Sequence, residues 1–280
     1  MRLKITADST CDLPKAIIEE YNIGIVPLSI VKDGVPHRDG LEITPDEIFT
    51  YTENGGGSCQ TAAVNVAEYH EVFSNYLNDY DAIVHVNIGS GFSACHQNAK
   101  LAAGEQENVY VVDSENLCVG MGYPVLEAAQ MARAGREAKE IADWLDGVKD
   151  KVELSFVIST LDYLHRGGRC SALVAFGANL LGLKPSIELV DGKLEVGKKY
   201  RGIIGKIVEQ YMTDQLAGRT DIDTRGAFIV SAGMPDDIVE IARRVARKDG
   251  RFEKVYESEA GCTISSHCGP GTLGVMFYRK

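Results

Sequence analysis

Asp81-Ala82-Ile83-Val84-His85-Val86-Asn87-Ile88-Gly89-Ser90-Gly91-Phe92-Ser93-Ala94-Cys95-His96-Gln97 is the stretch around which the chain is organised. Ala82 to Ile88 reads as a buried apolar strand, Gly89 to Gly91 as a small-residue turn, and Phe92 onward as the start of a helix carrying Ser93. A helix that opens just past a strand turns several backbone N–H groups outward at its positive end, where an anion can sit. The Ser93 hydroxyl can donate to the same anion. The competing reading is that Ser90 or Ser93 simply caps the helix.

On the N-terminal side, Leu3 to Ala7 reads as a short strand and Asp8-Ser9-Thr10-Cys11-Asp12-Leu13-Pro14 as a turn that starts a helix at Pro14. An aspartyl-phosphate phosphatase would carry a second Asp two residues after Asp8, and position 10 is Thr, so Asp8 and Asp12 read as caps. Gly24 to Val31 reads as a second apolar strand, followed by the turn Lys32-Asp33-Gly34. Thr44-Pro45-Asp46-Glu47 has the form of a capping box for a helix running to about Glu53. Asn54 to Ser58 is a glycine loop, and Asn65-x-x-Glu68 opens another helix with apolar residues at helical spacing.

Beyond the central stretch, Asn108 to Val112 reads as a strand ending in Asp113-Ser114, with helices over Val119 to Arg133 and Glu137 to Gly147. This alternation implies an α/β fold whose N-terminal domain is a mostly parallel sheet with helices on both faces. Ligands in such sheets sit beyond the C-terminal strand ends, where Asp8, Ser93, Asp113 and a loop containing Thr61 would lie. From Lys151 the pattern changes. Strand 154–158, a short helix 159–165 stopped by Gly167-Gly168, an apolar small-residue stretch 173–183 and a hairpin about Asp191-Gly192 come first. Helix 203–216, strand 227–230, helix 236–247 and strands 253–258 and 274–278 complete the chain. The expectation is two domains, residues 1–150 and 151–280, the second an α/β domain with a partly antiparallel sheet.

A net charge of −11 disfavours nucleic acid as a partner. Between Tyr163 and Lys206, however, eight basic residues face three acidic ones, so that segment is +5 and the remainder −16. A basic face on an acidic protein suits an anionic ligand or an acidic partner surface. No run of eighteen apolar residues exists, so no integral membrane segment is expected. The seven scattered cysteines, without a Cys-x-x-Cys pair, and the early polar N-terminus point to a reduced cytoplasmic protein without a metal site.

Two further clusters carry chemistry. In His267-Cys268-Gly269-Pro270-Gly271 a tight turn before a strand would fix the imidazole direction. In Tyr163-Leu164-His165-Arg166-Gly167-Gly168-Arg169 two arginines around a glycine pair suit a phosphate, a carboxylate or a partner's acidic patch, or else form a solvated face. Ser93 with His267 invites a serine-type hydrolase or phosphotransferase reading. Gly91-Phe92-Ser93-Ala94-Cys95 lacks the second glycine of a nucleophile elbow, and no third member stands out. Cys95 and Cys268 read as small hydrophobic filler, since nothing nearby lowers a thiol pKa. No Walker-type glycine loop with Lys is present.

Taken in order, Asp8 to Pro14, Ser90-Gly91-Phe92-Ser93, Asp113-Ser114, Tyr163 to Arg169, Lys184-Pro185 with Asp191-Gly192, and His267 to Gly271 resemble the DegV family over essentially the whole chain. That family consists of bacterial fatty-acid-binding proteins that serve a fatty acid kinase. The resemblance implies a long-chain fatty acid buried between the domains, presented to the kinase for acyl-phosphate formation by a chain that is not itself an enzyme and uses no cofactor. It implies that a Thr, a Ser and a His hold the carboxylate. The Ser falls on Ser93 and the His on His267. The Thr falls on Thr61 without a gap, while Ser58-Cys59-Gln60 also resembles the loop after a three-residue shift. Arg166, Arg169 and Arg201 are candidate ligand or kinase contacts. Ala62-Ala63-Val64 stands where the family has Ser-Gln-Pro, and Ala94-Cys95 where it has Gly-Thr. A binder of another small anion remains the alternative to the fatty-acid reading.

Overall fold

The computed structural model describes residues 2–104, 106, 108–170 and 183–280. At its centre β6 (Ala82–Asn87) is buried at all six positions, as its continuous apolar run requires. It pairs in parallel with β1 (Leu3–Asp8) on one side and β7 (Val109–Asp113) on the other. With β2 (Gly24–Val26) the sheet runs β2-β1-β6-β7. Side chains alternate along β6, so His85 and Val84 face opposite ways. The His85 ring lies against Tyr69 and Phe73 of helix Val66–Leu77. Helices Val119–Arg133 and Ala138–Val148 pack on the same strands. Both capping boxes are present, Thr44 with Glu47 and Asn65 with Glu68.

The expected strand from Gly24 to Val31 divides. β2 stops at Val26 and, past Pro27 and Leu28, β3 (Ser29–Lys32) joins a separate antiparallel sheet in the order β4-β3-β5. Proline lacks the N–H a ladder needs, so the break falls there. β4 is Val35–Arg38 and β5 is Gln60–Ala62. Thr61 therefore lies on a strand, opposite Ile30, and not in a loop.

The third sheet is six-stranded and mixed: β10-β9-β8-β13-β11-β12. Its strands are β8 (Val152–Val157), β9 (Leu183–Val190), β10 (Lys193–Arg201), β11 (Ile222–Ala232), β12 (Val255–Glu259) and β13 (Thr272–Arg279). All pairings are antiparallel except β11 with β12. The expected apolar stretch 173–183 lies outside the described residues except for Leu183. Asp8 is not a cap: it is fully buried and accepts from Tyr69 Oη at 2.6 Å, Ile88 N at 2.9 Å and Asn87 Nδ2 at 3.1 Å.

Candidate functional site

His267 is placed by a helix that the sequence did not announce. Cys262–Cys268 is helical, and His267 sits in its last turn rather than on a free turn before β13. The helix projects from the mixed sheet into the first half of the chain, against helix Pro45–Glu53, β3, β5 and the turn Ser9–Cys11. Its N-terminal N–H groups are met by two acids from that half. Asp12 Oδ1 accepts from Gly261 N at 2.9 Å, and Asp39 Oδ1 from Cys262 N at 2.9 Å. Asp39 Oδ2 accepts from Thr263 Oγ1 at 2.6 Å and Ser9 Oγ at 2.9 Å. These oxygens satisfy N–H groups that a helix N-terminus leaves without intrahelical acceptors, so this acid pair holds the His267 helix down on the first half. Burial pushes the Asp12 carboxyl well above its ordinary range, with neighbouring Asp39 acting in the same direction.

The result is a contact across 206 residues: Thr61 Oγ1 and His267 Nε2 are 2.8 Å apart. His267 Nδ1 is buried without a partner among the described residues and faces Gly167, where a Cβ would collide with it. Desolvation, with a smaller contribution from the Arg169 charge, lowers the imidazole to about 4. His267 is therefore neutral at pH 7 and engages Thr61 as an imidazole.

Thr61, Ser93, Arg169 and His267 all line one cavity of about 250 Å³. Its remaining wall is mostly apolar, with Ile88 and Phe92 from beyond β6 and Leu154, Phe156, Leu194 and Val230 from the mixed sheet. Among the described residues no Asp or Glu lines it. A largely apolar chamber with a few hydroxyls, a neutral imidazole and one guanidinium suits an amphipathic molecule with an acidic head.

Ser93 lies two residues ahead of helix Cys95–Ala103 rather than within it, and Ala94 occupies the cap position. The hydroxyl on His267 belongs to Thr61, whereas Ser93 Oγ donates to Cys95 Sγ at 3.2 Å. Among the described residues no carboxylate orients the imidazole through Nδ1, so they do not assemble the parts of a serine nucleophile site. Cys118 and Cys268 join the cavity wall as buried thiols; burial raises Cys268 to about 12 and pushes Cys118 well above its ordinary range. Filler is the reading that fits.

The remaining candidates separate. Ser58 is exposed in the loop before β5 and is not among the cavity-lining residues. Arg166 is exposed with its guanidinium 5.5 Å from the Tyr163 ring centre, and Arg201 is exposed at the end of β10. Arg169 alone of the three reaches the cavity, its Nη1 donating to Gly167 O at 2.7 Å. Sequence reasoning missed Asp39 and read Asp12 only as a local cap. Among the described residues no cluster fit to hold a metal ion occurs, and no helix is long and apolar enough to cross a membrane.

The DegV family model matches residues 2–280. The chain belongs to the DegV family. A DegV domain-containing protein of Caldanaerobacter subterraneus subsp. tengcongensis is 31% identical, over 100% of this chain and 99% of its own. The structure of a DegV family protein from Thermus thermophilus, described by its fatty acid binding, superposes with a TM-score of 0.90 at 31% identity, covering 100% of both chains. A DegV lipid binding protein from Thermotoga maritima gives 0.85 at 28% identity, covering 100% of this chain and 99% of its own. The two-domain α/β architecture is thus the DegV fold.

Proposed function

We propose that this chain binds a long-chain fatty acid in the cavity between its parallel and mixed sheets, the carboxylate at Thr61, Ser93 and His267 with Arg169 adjacent. The observation that carries the reading is the Thr61–His267 contact on an apolar cavity free of acidic lining among the described residues. Relatives described as fatty-acid-binding and lipid-binding proteins share the whole fold. Two hydroxyls, an imidazole and a guanidinium supply enough donors to offset desolvation of a carboxylate. Each buried methylene contributes about 0.8 kcal/mol, so a sixteen-carbon tail gains on the order of 10 kcal/mol gross. The tail supplies most of the affinity and the polar groups set orientation.

In this reading the protein is a cytoplasmic, non-enzymatic subunit that presents its fatty acid to a fatty acid kinase for acyl-phosphate formation. Exposed Arg166 and Arg201 form the docking side, and the domain boundary falls at residue 150, within the turn Lys149–Lys151 that leads into β8. Organic extraction of the purified protein followed by mass spectrometry tests the central claim. A stoichiometric long-chain fatty acid is expected; no lipid, and no uptake of added fatty acid, would overturn it.

A further inference from the structure

The floor of the cavity is laid out by strand register. β8, β13 and β11 are neighbours, and their pairing aligns Phe156, Gly274 and Val230 in one row and Leu154, Met276 and Phe228 in the next. The His267 helix leads into β13 at Thr272, so the second row lies farther from His267, by about 6.6 Å along the strands. All three residues of the nearer row line the cavity, but only Leu154 of the farther one does. Gly274 leaves the middle of the nearer row low: a Cβ there would come within 3.1 Å of Phe156 Cβ and 3.2 Å of Val230 Cγ1. A slender apolar chain can cross at that point. On these three strands the cavity reaches no farther than Leu154.

Behind Leu154 the sheet is open. β8 starts at Val152 and β9 runs to Val190, yet they pair only where Ser155, Phe156 and Val157 meet Glu188, Ile187 and Ser186. A polar groove of about 390 Å³ lies at the unpaired ends, lined by Val152, Glu153 and Leu154 from β8 and by Leu189, Val190 and Asp191 from β9 and its turn. Among the described residues it carries five acids, Glu188 and Asp191 among them, against two cations, Lys149 and Arg279. Leu154, at 2% exposure, is the one described residue that lines both the cavity and this groove. Its side chain is the partition between an apolar space and an acidic one.

We propose that the acyl tail ends against Leu154 and that this side chain sets the longest chain the protein accepts. The inference rests on the fatty-acid reading and adds the residue that measures the ligand. With the carboxylate at Thr61, Ser93 and His267, each further methylene has to push past Leu154 toward the groove or draw the head group off its donors. Either way it forgoes burial that otherwise gains about fourfold in affinity per methylene. The acidic excess of the groove also repels a second carboxylate, so the end of the ligand at Leu154 is a methyl end.

The test offers delipidated full-length protein an equimolar mixture of straight-chain saturated fatty acids of twelve to twenty carbons, then profiles the bound lipid by mass spectrometry. Leu154→Ala should move the bound distribution about two carbons longer than wild type, and Leu154→Phe a similar step shorter. Leu145→Ala makes the same truncation in the buried core off the cavity and should leave the profile in place. Identical profiles for wild type and both Leu154 variants, or an equal shift in Leu145→Ala, would overturn the proposal. Should Leu154→Ala fail to fold, Leu154→Val and Leu154→Phe decide: shifts in opposite directions support the stop, and unshifted profiles overturn it. Hexadecanedioic acid should bind wild type about tenfold or more weakly than hexadecanoic acid, and equal affinity would overturn a methyl end at Leu154. Wild type that retains no fatty acid refutes the fatty-acid reading and this proposal with it, whereas an unshifted but lipid-bearing Leu154 series refutes the proposal alone.

Discussion

His267 gives the stability of the protein a pH dependence that can be worked from its surroundings. The imidazole is buried and neutral, lowered from 6.5 to about 4. An unfolded chain therefore binds a proton at this side chain that the folded chain does not, between those two values. Stability from this group is complete above pH 6.5 and is lost as pH falls toward and through 4. At 1.36 kcal/mol per pH unit the full difference is about 3 kcal/mol, of which about 2 kcal/mol is gone at pH 5. The perturbation is His267→Gln, which removes the titration and keeps a neutral group able to hydrogen-bond Thr61. Urea unfolding of delipidated wild type and variant at pH 7.5, 6, 5 and 4 isolates the effect, because every other titrating group cancels in the difference. Wild type should lose about 2 kcal/mol more than the variant between pH 7.5 and pH 5. Two curves that remain parallel over the whole range would refute a buried neutral His267, and an NMR titration of its ring near 6.5 would do the same.

Two further outcomes are expected at other residues. Reversing Arg166 and Arg201 to Glu should slow kinase-dependent acyl-phosphate formation while fatty-acid affinity stays as it was, with the wild-type rate falling as salt rises; a turnover rate indifferent to both charge and salt would exclude this face as the docking side. Asp39→Ala strips the charged acceptor from Ser9, Cys262 and Thr263, and a loss of about 2–4 kcal/mol in denaturant unfolding is expected; a loss below about 0.5 kcal/mol would mean that the His267 helix is held by its packing alone.

The parts of the fold that local patterns carry were readable. Ala82 to Asn87 is a strand because a short apolar run buried on both faces suits nothing else in an α/β protein. The helices at Pro45 and Val66 begin where Thr44 and Asn65 meet a glutamate three residues on, and helix Val119–Arg133 begins and ends where its apolar pattern does. The DegV resemblance was equally a matter of ordered short motifs, and it brought Thr61, Ser93 and His267 forward as one set.

What the chain order could not show was who would meet whom. Cys262-Thr263-Ile264-Ser265-Ser266-His267-Cys268 has weak helix formers and no cap of its own. It is helical because Asp12 and Asp39 supply the missing acceptors from 249 and 223 residues away. Likewise Asp8 looks like a cap until Tyr69, Asn87 and Ile88 close around it. Periodicity, capping and turn chemistry act over a few residues and are written in the sequence. The cavity, the neutral His267 and the burial of Asp8 depend on desolvation and on donors from distant segments, and these exist only once the three sheets have packed.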